Sequence, residues 1–308
     1  VLFNTSLSDR ESGEAVDPVT GARRHAWART AAGRSHGNMS DGQNQFSADR
    51  SVLQMGSAIA GGTFTGKDGW RLGVMAGYGN QHSKTRSRLS GYQSRGAVEG
   101  YSAGLYGTWY QDALTHRGLY VDGWALYNRF DNTVKGDGLA KETYQSQGVT
   151  ASLESGLLLE AGSFTTDGGM ENRFRFQPQV QVLWSGVKAA DHTERTGTRV
   201  QGMGANNVQT RLGARLSISS GHRSRGPGKA GTFETFLEAN WLHASKQYGV
   251  MLDGVGATIL GNRNVAELKA GVEGQLTERL GVSASLTRRQ GGQGLRATQG
   301  ALTLTLRF

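Results

Sequence analysis

Cysteine is absent from this 308-residue chain, which removes disulfides, thiolate nucleophiles and cysteine-held metal sites together. Proline is scarce: three residues beside 47 glycines argue against collagen and against a proline-rich linker protein. No apolar run reaches the length of a membrane-spanning helix, and mean hydropathy is negative at -0.47, so a transmembrane helix is excluded. Val1 is not followed by a basic region and an apolar core, so no signal peptide is expected, and an exported protein would be represented by its mature chain or a C-terminal fragment. Clustered charge is missing too. The net charge of +9 comes from basic residues spread singly, without stacking aromatics between them, so nucleic acid is not an expected partner. The histidines show neither HExxH spacing nor a Ser/His/Asp arrangement. Gly254-Val255-Gly256 with Gly261 lacks the Lys-Ser or Lys-Thr of a phosphate loop. No enzyme activity, metal or cofactor is expected.

What is present is alternation. Ala301 to Phe308 reads Ala-Leu-Thr-Leu-Thr-Leu-Arg-Phe, placing Leu302, Leu304, Leu306 and Phe308 on one face and Thr303, Thr305 and Arg307 on the other. Period-two patterning recurs in about twelve segments near residues 25–34, 51–64, 69–82, 95–111, 117–130, 144–161, 172–187, 205–220, 231–244, 263–276, 279–291 and 297–308. In the seventh, Phe174, Phe176, Pro178, Val180, Val182 and Trp184 alternate with Arg173, Arg175, Gln177, Gln179, Gln181 and Leu183. A helix of that sequence would scatter charge on every face. A soluble sandwich would alternate in the same way, so the polar face alone does not decide between water and lipid.

Connection lengths do discriminate. Gaps after odd segments, such as Ser35 to Arg50, Asp131 to Thr143, Lys188 to Gly204 and Ser245 to Asn262, exceed most gaps after even ones, such as Thr65 to Asp68, with Gly221 to Ala230 the exception. That parity predicts an all-β fold: a 12-stranded antiparallel up-and-down transmembrane barrel formed by residues 21–308. Trp70, Trp109, Tyr110, Tyr120, Trp184 and Trp241 lie near segment ends, where interfacial belts are expected. The predicted lumen face carries Arg29, Arg71, Asp122, Glu154, Glu160, Arg173, Arg175, Arg211, Arg215, Glu234, Glu238, Lys269, Glu273 and Arg307. Twelve strands about 4.8 Å apart and tilted about 40° leave a bore of roughly 10–12 Å, enough for one helix and too narrow for a folded domain.

Ala26-Trp27-Ala28-Arg29, Gly104-Leu105-Tyr106-Gly107, Tyr120-Val121-Asp122-Gly123-Trp124, Gln177-Pro178-Gln179-Val180-Gln181, Arg211-Leu212-Gly213-Ala214-Arg215, Glu238-Ala239-Asn240-Trp241-Leu242-His243 and terminal Arg307-Phe308 occur in that order. With them the sequence resembles the translocator domain of classical autotransporters, the type V secretion proteins of Gram-negative outer membranes, and within them the group of the diffuse-adherence adhesin. It departs in carrying Gln177 where many relatives place Glu. The resemblance implies a monomer that exports its own N-terminal passenger, with periplasmic chaperones, the barrel-assembly machinery, outer-membrane lipid and lipopolysaccharide as partners. It implies that the last strand, through Leu302, Leu304, Leu306 and Phe308, is read by that machinery. The resemblance implies that the linker helix lies mostly before Val1 and that residues 1–20, including Ser8-Asp9-Arg10-Glu11, are its exit segment into the lumen. Some autotransporters cut their linker through an Asn side chain; Asn4 with Glu154 or Glu160 offers the groups, but the flanking motif is missing. A diffusion porin and an outer-membrane hydrolase remain as other readings of the same residues.

Overall fold

The computed structural model describes residues 2–10, 25–39, 42–113, 115–189, 191–193, 197–222, 232–252, 255–277 and 279–308. Twelve long strands form the wall: β1 (His25–Asn38), β2 (Asn44–Gly62), β3 (Gly69–Ser87), β4 (Gln93–Tyr110), β5 (Gly118–Gly136), β6 (Glu142–Thr165), β7 (Met170–Ser185), β8 (Asn207–His222), β9 (Thr232–Ala244), β10 (Asn264–Gln275), β11 (Leu280–Gly291) and β12 (Arg296–Arg307). Each pairs antiparallel with its sequence neighbour, and β1 pairs with β12 from His25 opposite Arg307 to His36 opposite Arg296. The sheet is therefore closed and has no free edge, which suits a wall with lipid on one side.

Alternation sorts the side chains. Leu153, Leu212, Leu216, Leu268 and Leu302 point outward and stay exposed, while Gln54, Thr150, Glu154 and Glu238 point inward and are buried. Inward positions are not uniformly polar: Leu183, Trp27, Tyr106 and Trp124 are also buried inside. Room for the inward rings comes from glycine on the neighbouring strand. A Cβ on Gly73 would lie 2.3 Å from the Tyr106 ring, and one on Gly156 would lie 2.5 Å from the ring of Tyr120.

Two expectations are corrected. Tyr110 and Tyr120 do not join an interfacial belt; both are buried in the lumen, where Tyr110 stacks on His116 at 4.4 Å. The alternation already carried this: Tyr120 shares the parity of Asp122 on the predicted lumen face, and Tyr110 pairs with Tyr120 across the ladder, so nearness to a segment end was the wrong guide. Trp184 and Trp241 do face outward, toward the end remote from the termini, and Phe64 stacks on Trp70 at 5.9 Å near the opposite end.

The gaps expected at Ser35 to Arg50 and Asp131 to Thr143 are largely strand: β1 and β2 leave only 39–43 between them, and β5 and β6 only 137–141. Ladder pairing continues above the apolar band, where both faces meet water and the period-two signal fades. The genuinely long connections, 186–206 and 245–263, build a second small sheet in the order Val255–Thr258, Gly249–Leu252, Arg199–Met203, His192–Thr193. It attaches to the wall where Lys188–Ala189 pairs with β6 and where Met39 bridges Ile259. The expected short helix exit is described only in part, since residues 11–20, including Glu11, lie outside the described residues, as do 223–230 and Gly254.

Candidate functional site

The interior of the barrel is occupied by the chain's own N-terminal segment. Leu2 and Phe3 sit toward the far end, where Phe3 stacks on Phe130 at 5.8 Å, and one helical turn, α1 (Leu7–Arg10), lies deeper. Arg10 reaches Asp122, four residues from the start of β5, so the segment runs from the far end toward the end that holds the C-terminus. The segment is non-helical at residues 2–6, and only Leu7–Arg10 form a helical turn. Its backbone polar groups, which no helix satisfies, are met by wall side chains. Trp124 Nε1 and Gln181 Nε2 donate to the Thr5 carbonyl at 3.1 and 3.0 Å, Gln54 Nε2 donates to the Phe3 carbonyl at 3.3 Å, and Thr303 Oγ1 donates to the Asp9 carbonyl at 3.0 Å.

Charge fixes the deep end of this segment. Arg10 and Asp122 form an ion pair with both side chains 1% exposed, and Thr108 Oγ1 donates to the other Asp122 oxygen at 2.7 Å. The Arg10 guanidinium also lies 4.9 Å from the centre of the Tyr106 ring. Asp9 takes Lys269 at 2.8 Å and Arg29 at 3.8 Å. The amide of Leu7 donates to Glu154 Oε2 at 3.2 Å, and Leu7 packs in a cluster with Tyr110 and Tyr120. Glu154 accepts from the Tyr120 hydroxyl at 2.9 Å and pairs with Arg211 at 3.0 Å.

The remaining sequence-selected residues arrange themselves around this core. Arg211 also meets Glu238 at 3.3 Å, and Glu238 accepts from Gln179 and Asn240, each at 2.7 Å. Arg215 bridges Glu234 at 3.1 Å and Glu273 at 2.6 Å, with Phe236 under its guanidinium. Arg175 joins Glu234 at 3.2 Å. Nearer the terminal end, Arg71 lies 3.1 Å from His25 Nδ1, Arg173 pairs with Glu171, and Glu160 pairs with Arg117, away from α1. Arg307 is buried opposite His25. Asn4 lines a cavity whose walls include neither Glu154 nor Glu160, so the groups considered for linker cleavage are not assembled there. Sequence reading put Asp9 and Arg10 in the lumenal segment without naming their partners, and it left Arg50, Glu267 and Arg289, charged groups of the interior, out of the predicted lumen face. The alternation of β2, β10 and β11 carried a signal for the last three; for Asp9 and Arg10 nothing periodic existed.

The Autotransporter beta-domain family model matches residues 26–287. The chain belongs to the autotransporter β-domain family. It is 44% identical over 304 residues to "Uncharacterized protein YdeU" of Escherichia coli K12, covering 98% of this chain and 65% of that protein. It is 35% identical over 309 residues to "Autotransporter adhesin AIDA-I" of Escherichia coli, covering 100% of this chain and 24% of that protein. The chain thus spans less than two thirds of the length of these relatives. The crystal structure of the AIDA-I transport unit from Escherichia coli superimposes with a TM-score of 0.89, covering 100% of this chain and 94% of that one at 35% identity. The β domain of Bordetella BrkA shares the fold with a TM-score of 0.64 at 20% identity, over 93% of this chain and 100% of that one. The autotransporter β-domain described above is an outer-membrane translocator barrel of Gram-negative bacteria, with its apolar outer face in lipid.

Proposed function

We propose that this translocator anchors and delivers an N-terminal passenger, and that residues 2–10 are the tethered end of that exported polypeptide, held as a plug. The observation that carries this reading is the seating of Phe3, Asp9 and Arg10 against Phe130, Lys269 and Asp122, on two widely separated strands of one lumen. A buried pair such as Arg10 with Asp122 is costly to build and strongly destabilising to break singly, so it specifies one position of the segment. The run of the segment from the far end inward supports a passenger on the cell surface. Folding of the passenger outside supplies the direction of transport, because a bore of roughly 10–12 Å passes only unfolded chain. An adhesin, the class named for AIDA-I, is the passenger type proposed here.

Assembly is proposed to involve periplasmic chaperones and the barrel-assembly machinery, with the outward face of Leu302, Leu304, Leu306 and Phe308 as the recognised surface. All four are exposed on β12 or just beyond it, and β12 is the strand that closes the barrel against β1. The diffusion-porin reading is disfavoured by the occupied lumen, and no observation favours a hydrolase over it.

The test is planar-bilayer recording on the chain and on a version lacking residues 1–10. The plug reading expects low conductance from the former and a several-fold larger, steadier conductance from the latter. Equal conductance would show that the segment does not plug the bore.

A further inference from the structure

One wall of the lumen holds more positive charge than its neighbours neutralise. A cavity of about 110 Å³ lies between the N-terminal segment and strands β1, β2 and β7 to β12, with its charged groups concentrated on β1, β2, β10 and β11. Leu2, Asn4, Ser6 and Asp9 form its inner side; Arg29, Arg50, Lys269, Glu267, Thr287 and Arg289 stand on the wall. Arg211 also reaches it, but its charge is met by Glu154 and Glu238. Asp9 serves both Lys269 and Arg29, and Glu267 pairs with Arg289 at 2.5 Å. Four cations, Arg29, Arg50, Lys269 and Arg289, thus face two carboxylates, Asp9 and Glu267, leaving two positive charges unmatched.

Arg50 holds the imbalance. Among the described residues its one hydrogen-bond partner is the neutral Gln299, which lies in register with Gly33 on one side of β1 as Arg50 does on the other. Arg29 and Arg289 line the same cavity as Arg50, so three guanidinium groups crowd one space. Like charges confined in this way repel one another, and a bound counter-charge relieves that repulsion. The cavity has ample space for a small ion, since about 10–15 Å³ admits a water.

We propose that this cavity binds one small inorganic oxyanion of the phosphate or sulfate class, with Arg50 and Arg289 as its principal partners and the Thr287 hydroxyl as a further donor. The site deepens the plug reading and rests on it, because the N-terminal segment supplies one side of the cavity. A planar, multi-donor guanidinium pair matches a tetrahedral oxyanion better than it matches chloride. The anion would then tie the segment to the β1–β2 and β11–β12 wall, opposite the Arg10–Asp122 contact.

The experiment uses the folded full chain in neutral detergent, titrated with sodium sulfate and sodium phosphate against sodium chloride at matched ionic strength. Calorimetric binding and the unfolding temperature are read for the unchanged chain, R50Q and R50K. The expected result is saturable oxyanion binding that is weakened about tenfold or more in R50Q and largely restored in R50K, as for loss of a charge-assisted contact. Equal binding by the unchanged chain and R50Q, or an identical response to chloride, would overturn the site. If R50Q does not give a heat-modifiable barrel, R289Q and Thr287→Val carry the same comparison: weakened oxyanion binding supports the site, and unchanged binding overturns it. Failure here is separable from failure of the plug, which is read from the conductance of the chain lacking residues 1–10.

Discussion

At the scale of single residues, identity matters less than the face on which a side chain stands. Leu212 is 45% exposed on the outside of β8, while Gln209, three residues earlier, lines the interior cavity. L212R should cost about 2–4 kcal/mol near the bilayer midplane, whereas Q209R should be tolerated, as measured by denaturant unfolding of barrels refolded in lipid. Asp122 makes the complementary case. With its partner Arg10 also buried, D122N should destabilise the seated segment by about 3–5 kcal/mol and raise the frequency of open-channel events in bilayer recordings. Unchanged event frequency would mean that the pair does not hold the segment. Leu212 was readable from its period-two neighbours; the partner of Asp122 was not, because no pattern links β5 to a residue more than a hundred positions earlier.

At the scale of elements, strands and turns differ in what stabilises them. The turn at 63–68 is organised by one carboxylate: Asp68 Oδ1 accepts from Thr63 Oγ1, Thr65 Oγ1 and the amides of Phe64 and Thr65, and Asp68 Oδ2 accepts from Trp109 Nε1 at 2.9 Å. Burial pushes the Asp68 carboxyl upward, but the hydrogen bonds from Thr65, Trp109 and Thr63 outweigh it and hold the group well below the usual carboxylate range. A depressed folded-state value gives stability that is complete above the unfolded-chain value and is lost as pH falls below it. The stability difference between the unchanged chain and D68N should therefore be constant from pH 7 to about pH 4 and shrink below that, in urea titrations at each pH. A difference that grew on acidification would contradict this role for Asp68 in the turn. β12 makes a different demand, since Phe308 stands past the last paired residue and is 61% exposed. Deleting Phe308 should lower the yield of heat-modifiable barrel in membranes while leaving refolding in detergent nearly intact. Equal loss in both would reduce its role to lipid contact.

At the scale of the whole molecule, the closed ladder and the small outer sheet are separate constructions. Every long strand has two long-strand neighbours, and the ring closes through β1 and β12 without help from 186–206 or 245–263. Replacing residues 191–203 by a short Gly-Ser connection should therefore preserve the heat-modifiable barrel, read as a mobility shift between heated and unheated samples. Loss of the shift would show that the outer sheet is needed to close the wall.

Local pattern was enough to specify the twelve strands, the closure they imply and the side on which Leu153, Glu154, Leu212 and Arg211 stand, because a half-lipid, half-water wall writes its face into every second residue. It overlooked the upper reaches of β1, β2, β5 and β6, where water lies on both faces. Three-dimensional contacts were needed to establish where residues 2–10 seat in the lumen, that Arg10 meets Asp122, and that Arg50 is left without a carboxylate. Those outcomes depend on which groups meet across the bore, where contacts join residues far apart in the chain and no local period records them.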